Sequence, residues 1–404
     1  MKNIFTALLI SLAFHSFSQN TFIKYTLCGN NTCNIKESHI NTDGNAVVLR
    51  VYVKSSDNHA YLTEVDGSGN IINNILISEP VNNEIIFHSF IQTSDGGYLL
   101  TGNTHPGLPD GNACLLKITS DWQFEWAQAY KGDALNAGEF GINVFETANN
   151  KYQFFQNSVN AVLISQLDNS GNVEWSKKID SLNLHEALPT NENEVLLNSS
   201  VETSSGFHEI RILKIDKEGN VVWSRKMQSL LSYTGHVISQ LSDGNFIFDA
   251  LPDSANISNL VLLKIDPDGN LLWGKEYKES NGGVAIGLMY FNEIPGSGII
   301  QTAIEAFESG IYNLQLTIEG EVISANKILL KQHRVNYLTQ MPDNGFIISG
   351  KRAVPGEKFS GFIIKTDALG ITACENETAN FTSVTNNNLV SEELIMKSYD
   401  AINS

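Results

Sequence analysis

LKIDKEGNVVWSRK (213–226), LKIDPDGNLLWGKE (263–276) and SQLDNSGNVEWSKK (165–178) are three copies of one unit. Anchored on the first position of DxxGN, the unit recurs at Asp66, Thr119, Asp168, Asp216, Asp266, Thr317 and Asp367. The spacings are 53, 49, 48, 50, 51 and 50 residues. A unit of this size cannot bury its own apolar faces, so successive copies must stack on one another.

Each copy carries four short apolar segments with turn chemistry between them. In the second copy these are 88–93, 98–101, 114–118 and 124–130, with Ser94-Asp95-Gly96-Gly97 as a tight turn after the first. The same turn recurs as Asp43-Gly44-Asn45, Asp243-Gly244-Asn245 and Asp343-Asn344-Gly345. In DxxGN the Asp can accept amide hydrogen bonds and the Gly can take positive φ. Four antiparallel strands per repeat predict an all-β fold, a seven-bladed β-propeller of four-stranded blades over residues 19–374. The last copy runs out near Cys374 after its third strand. Residues 21–27 (TFIKYTL) have the character of the missing fourth strand, so an N-terminal strand is expected to close the last blade and remove the open edge.

Residues 1–18 read as a secretory signal peptide: Lys2, an apolar stretch over 4–17, and Ser16-Phe17-Ser18 as a small-x-small cleavage site. No later apolar run is long enough for a membrane span, and no Cys stands at the cleavage point to take a lipid. The expectation is an exported protein, periplasmic, cell-surface or secreted, monomeric and without membrane insertion. A net charge of −18 argues against nucleic acid and anionic membrane as partners. Cys28, Cys33, Cys114 and Cys374 allow a Cys28–Cys33 bridge, or a bridge from either to Cys374 that staples the chain ends, and no CxxC is present. Residues 375–404 are polar and aperiodic and are expected to be a disordered tail.

The DxxGNxxW pattern, carried by Asp168-Gly171-Trp175, Asp216-Gly219-Trp223 and Asp266-Gly269-Trp273, resembles the tryptophan-docking repeat of quinoprotein-like propellers. It is similar, more closely, to secreted propeller proteins of the Bacteroidota. The resemblance implies the fold; such propellers host many unrelated roles. Two features depart from it. Quinoprotein enzymes usually have eight blades and a vicinal Cys pair, absent here. Bacteroidota relatives often end in a sorting domain, which the 30 residues after Cys374 are too few to form.

Trp126, Trp175, Trp223 and Trp273 share one repeat position, filled in the other copies by Asn73, Ser324 and Cys374. Repetition in register points to packing between blades, not to a glycan-binding row. Trp122 stands where other copies have Gly69, Gly171, Gly219, Gly269 and Gly370. There it is either a stacking platform for a ligand or a ring folded onto the sheet. His88, His185 and His236 each lie seven residues before a first-turn position, where other copies have Lys36, Ile142, Met289 and Asn336. On innermost strands they would approach one mouth of a central channel, able to take a metal or an anionic ligand. The alternative is a set of histidines bonded to neighbouring backbone. The DxxDGN turns lack the carboxylate at loop position 12 of an EF-hand, since Met227 and Tyr277 stand there. No GxSxG, HExxH or P-loop occurs, the five arginines hold different repeat positions, and no cofactor is implied.

The sequence therefore reads as a non-catalytic binding or scaffolding module for a protein or glycan in the cell envelope. Its variable loops, 103–112 (NTHPGLPDGN) among them, would supply contacts. The alternative is a periplasmic or extracellular hydrolase or lyase with its site at the channel mouth. A further one is an envelope-assembly scaffold.

Overall fold

The computed structural model describes residues 21–26, 32–54, 57–78, 85–104, 111–131, 140–147, 150–190, 194–203, 208–228, 233–234, 237–252, 260–280, 289–306, 309–353, 359–372, 376–379, 381–385 and 390–400. The expected signal peptide, His236, Cys28, Cys374 and most of the 103–112 loop lie outside them. Among the described residues there is no helix, hence none long and apolar enough to cross a membrane.

The chain opens on β1 (Phe22–Thr26). It then builds antiparallel sheets in order along the sequence. The first holds β2 (Thr32–Ile40), β3 (Ala46–Lys54), β4 (Asp57–Val65) and β5 (Ile71–Ile77). The next holds β6 (Ile85–Gln92), β7 (Tyr98–Thr104), β8 (Ala113–Ile118) and β9 (Phe124–Tyr130). Then come β10 (Phe140–Thr147), β11 (Lys151–Ser158), β12 (Ala161–Leu167) and β13 (Val173–Asp180), followed by β14 (Asn183–Pro189), β15 (Val195–Glu202), β16 (His208–Ile215) and β17 (Val221–Gln228). A broken inner strand, β18 (Tyr233–Thr234) and β19 (Ile238–Gln240), pairs with β20 (Phe246–Pro252), beside β21 (Leu260–Ile265) and β22 (Leu271–Glu279). After it stand β23 (Met289–Ile294), β24 (Ile299–Ala306), β25 (Gly310–Thr317) and β26 (Val322–Ile328). The last repeat gives β27 (His333–Gln340), β28 (Phe346–Ala353) and β29 (Phe359–Thr366).

Turn chemistry sets the pairing. In the turn after β12, Asp168 Oδ1 accepts the amides of Ser170 (2.9 Å) and Asn172 (2.8 Å), and Asn172 Nδ2 donates to Asp168 Oδ2 (2.9 Å). Gly171 takes φ 82°, which costs a glycine nothing, and the ladder shifts register by one at Gln166/Leu167. The same turn follows β4, β16 and β21.

β1 pairs antiparallel with β29 and supplies the fourth strand of the last repeat. Phe22 lies opposite Lys365, just as Trp126 lies opposite Lys117, so Phe22 takes the Trp register. The in-line count puts Cys374 at that position; the strand expected from residues 21–27 is the one that fills it, with Phe22. A single parallel bridge, Thr32 to Phe359, joins the first sheet to the last.

The tail departs from expectation. It carries β30 (Asn376–Thr378), β31 (Phe381–Thr385), β32 (Val390–Glu393) and β33 (Tyr399–Asp400). These pair antiparallel with the outermost strands β26, β22, β17 and β13, one after another. Pairing of this kind rests on main-chain hydrogen bonds, which need no apolar periodicity, so composition gave no sign of it.

Apolar clusters lie between neighbouring sheets. One joins Leu49 and Leu62 to Phe87, Leu100 and Leu116; another joins Val162 and Ile164 to Leu197, Leu213 and Ile215. Each fully buried Leu or Phe contributes about 1.5–3 kcal/mol, so the stacking of sheets, not any sheet alone, holds the molecule together.

Candidate functional site

The innermost strands β2, β6, β10, β14 and β27 each skip one residue in their ladder: Lys36, His88, Ile142, His185 and Asn336. A β-bulge re-aims its side chain and turns the following residue as well. All five skipped residues line one cavity of about 290 Å³, together with Glu37, Ser89, Asn143, Glu186, Val237, Tyr290 and Tyr337. The register read from the sequence thus gathers at a single recess, in which His88 and His185 take part. His236 falls outside the described residues. Among those described, no group of three His, Cys, Asp or Glu side chains is arranged to hold a metal ion.

The residues after the bulges tie the inner strands together. Glu37 Oε2 accepts the amide of Phe90 in the next sheet (2.7 Å), Asn143 Oδ1 that of Ala187 (2.9 Å) and Glu186 Oε2 that of Ile238 (2.7 Å). Asn336 Nδ2 donates to Ile35 O (2.6 Å) across the junction between β27 and β2. Sequence reasoning missed Glu37, Asn143 and Glu186. Simple alternation puts them on the opposite face from the histidines, and only the bulge brings them round.

Electrostatics follow from burial. His88 Nε2 donates to Asn103 Oδ1 (2.7 Å), and burial, helped by Lys36, lowers its pKa to about 4. It is a neutral imidazole. His185 Nε2 lies 2.6 Å from Ser200 Oγ. Burial, then Lys351, holds the Lys36 ammonium below its usual range. Burial raises Glu186 to about 8, with Asp249 and Glu37 adding to the rise and the Ile238 amide opposing it. The Tyr337 hydroxyl is pushed up by burial and by Glu37. The recess therefore brings together a lysine ammonium, a neutral imidazole and a carboxyl group that burial keeps protonated at neutral pH.

The tryptophans touch neighbouring sheets. The Trp126 ring lies so close to Gly171 that a Cβ there would fall 2.9 Å away; Trp175 meets Gly219 at 3.1 Å, Trp223 meets Gly269 at 2.8 Å and Trp273 meets Gly320 at 2.9 Å. Phe22 meets Gly69 in the same way, at 2.8 Å. Trp122 is half-buried, takes φ 62° and packs on Tyr98 with ring centroids 5.2 Å apart. Its ring is folded onto the cluster between the first two sheets and does not stand out from the turn.

Buried lysines also went unread. Lys117, Lys264 and Lys365 are almost wholly buried, each with its ammonium on the aspartate of its own first turn: Asp95 (2.9 Å), Asp243 (2.6 Å) and Asp343 (2.5 Å). The signal was a Lys two residues before the first position of DxxGN, standing 21 or 22 residues after a turn Asp. Cys33 is disulfide-bonded to a partner outside the described residues, and Cys114 is a buried thiol outside any disulfide.

No family model matches the chain, and no curated protein matches it in sequence. Solved structures do resemble it. A protein of unknown function from Dyadobacter fermentans aligns with a TM-score of 0.52 at 10% identity, over 85% of this chain and 99% of that one. Extracellular domains 1–2 of Drosophila Semaphorin 1a align with a TM-score of 0.51 at 8% identity, over 85% of this chain and 87% of that one. At such identities the likeness bears on the fold alone, which is all-β and propeller-like.

Proposed function

We propose that the chain is an exported, seven-bladed β-propeller of the quinoprotein-like, Bacteroidota-type kind, and that it acts without catalysis as a binding module for a protein or glycan in the cell envelope. The blade count is supported by the run of four strands that each DxxGN repeat contributes, with β1 standing fourth in the last and the tail strands added outside. Ring closure is supported by Phe22 on Gly69 and by the Thr32–Phe359 bridge. One observation carries the functional reading. The polar groups around the recess are engaged in bonds that fasten inner strands to one another, as Glu37, Asn143 and Glu186 do. Groups so tied frame a rigid surface for recognition; a reacting group must be able to move a proton or form a bond during turnover.

The test is to use residues 19–404 as bait against the cell-envelope extract of the source cell, then to rebuild any captured complex from purified parts. A one-to-one complex with a protein or glycan supports the module. Failure to rebuild any complex, with turnover of an envelope polysaccharide instead, overturns it.

A hydrolase or lyase is the second reading, and Glu186 favours it. A carboxyl held near pH 8 in a recess is the kind of group that serves as a general acid. Turnover abolished by Glu186→Gln would establish that reading.

A further inference from the structure

The tail displays how an outer edge of this molecule takes a strand. In each of the four sheets it visits, pairing begins two residues after the Trp register: at Lys177, Arg225, Lys275 and Asn326. These edges are basic at or beside that position, and the tail segments that meet them include Glu377, Glu392 and Glu393; Lys226 Nζ lies 3.2 Å from Glu392. The tail also seats an apolar side chain. Beyond β32, Met396 packs on the cluster that includes Ile179, Leu213, Ile215 and Val221, in the groove between neighbouring sheets.

The first sheet presents the same edge without a strand on it among the described residues. Its outer strand β5 (IINNILI) has no charged residue, and Ile71, Ile72 and Leu76 are exposed. Beside it runs an apolar groove of about 370 Å³, lined by Leu76, Ile77, Leu116, Ile118 and Phe124. By register, Ile77, Leu116, Ile118 and Phe124 are the counterparts of Ile179, Leu213, Ile215 and Val221, which belong to the cluster on which Met396 packs. At the register of Ile77 the neighbouring β9 has Tyr130, and β22 has Tyr277. Each fills its groove itself and donates its hydroxyl to a turn carbonyl of the next sheet, Gly171 (2.8 Å) or Gly320 (2.9 Å).

We propose that β5 is a strand-addition site for another protein: an extended, uncharged segment of the partner pairs antiparallel with β5 from Ile75 onward and buries one Met- or Leu-sized side chain in the groove over Ile77. Main-chain hydrogen bonds would supply affinity, and the groove would supply specificity. The lack of charge on β5 separates this partner from the acidic tail. The site rests on the reading of the chain as a binding module and gives that reading a place and a partner chemistry.

The probe is a fluorescent peptide copying residues 390–400 with Glu392 and Glu393 replaced by Thr and Lys397 and Asp400 by Ser, titrated onto the whole mature chain and followed by anisotropy. Two variants test the site. Leu76→Asp puts a charge on an exposed lip of the groove, where folding is least at risk. Ile77→Tyr fills the groove as Tyr130 and Tyr277 fill theirs. Saturable one-to-one binding is expected, weakened roughly tenfold or more by either variant and by a Met→Ser change in the peptide. Absent binding, or binding that both variants leave unchanged, overturns the site. A dimer of the chain that Leu76→Asp dissolves also overturns it, by giving the edge to a second copy. A purified partner that still binds both variants in full sinks the β5 site alone; turnover of an envelope polysaccharide with no rebuilt complex sinks the binding-module reading and leaves the peptide result standing.

Discussion

Trp122 holds a backbone angle that its counterparts leave to glycine, φ 62° against 82° at Gly171 and 75° at Gly219. The left-handed region costs a bulky residue about 1–2 kcal/mol. The return is visible next door. β5 has Asn73 where four of the outer strands carry Trp, and Asn73 Nδ2 is turned to Glu64 (2.6 Å). The ring missing from one side of that junction is supplied from the other, by Trp122 on Tyr98. Trp122→Gly is expected to lose the half-buried ring but to relieve the backbone, for a net loss of about 1 kcal/mol. Trp122→Ala loses the ring and keeps the strain, so it should be the less stable of the two by about 0.5–1 kcal/mol in urea denaturation. Equal stabilities would mean that the angle relaxes when the ring is gone. The lysine pairs permit a similar contrast. Lys365 is fully buried and Asp343 is not, so Asp343→Ala strands a charge and should cost about 3 kcal/mol or more. Lys365→Met leaves only a hydratable carboxylate and should cost clearly less, by the same denaturation measurement.

Among the elements, the innermost strands respond most to pH, because their bulges turn ionisable groups toward the recess. Glu186 titrates near pH 8 in the fold against 4.5 without it. Between those values unfolding releases its proton, so its contribution to stability is present at low pH and is lost as pH rises toward 8. His88 runs the other way: about 4 folded against 6.5, so its contribution is present above pH 6.5 and lost as pH falls toward 4. Glu186→Gln keeps an acceptor for the Ile238 amide and removes the titration. Relative to the parent chain it should gain about 1–3 kcal/mol between pH 5 and pH 8, read from denaturation midpoints across that range. A constant difference across pH would show that Glu186 is ionised in the fold.

The strands themselves were legible because turn residues act locally: DxxGN sets its hairpin wherever it occurs. The shared register of Lys36, His88, His185 and Asn336 was legible for the same reason, since counting back from a turn finds one position on every inner strand. Glu37 and Glu186 were not, because a one-residue bulge reverses the face that alternation assigns. The closing strand was legible in the character of residues 21–27, but Phe22 in the Trp register was not, because the count along the repeat runs on from Asp367 to Cys374. The strands β30 to β33 were hidden because their partners are backbone groups, which have no sequence signature.

At the scale of the molecule, the tail belongs to the fold. Deleting residues 375–404 bares the edges of β26, β22, β17 and β13. It also removes Met396 and Ala379 from two inter-sheet clusters. The shortened chain should still fold, since every sheet keeps its inner strands. Its midpoint should fall, with a loss of about 2–4 kcal/mol judged from the burial of one Met, one Ala and the strand pairing. It should also self-associate through the bared edges at concentrations where the whole chain stays monomeric, as light scattering after size exclusion would show. A shortened chain as stable as the whole, and as monomeric, would make the tail's strands incidental.

The order in which the tail visits the sheets has a temporal consequence. Its partners lie progressively earlier in the chain, from β26 back to β13, and each strand that docks shortens the loop the next must close. The arrangement works as a zip fastener with one starting end. It engages from Asn376 after the rest of the chain has been made, and it loosens from the two-residue β33 inward. Amide exchange along the tail should therefore slow steadily from Tyr399 back to Asn376, a gradient that no single lumped rate would describe.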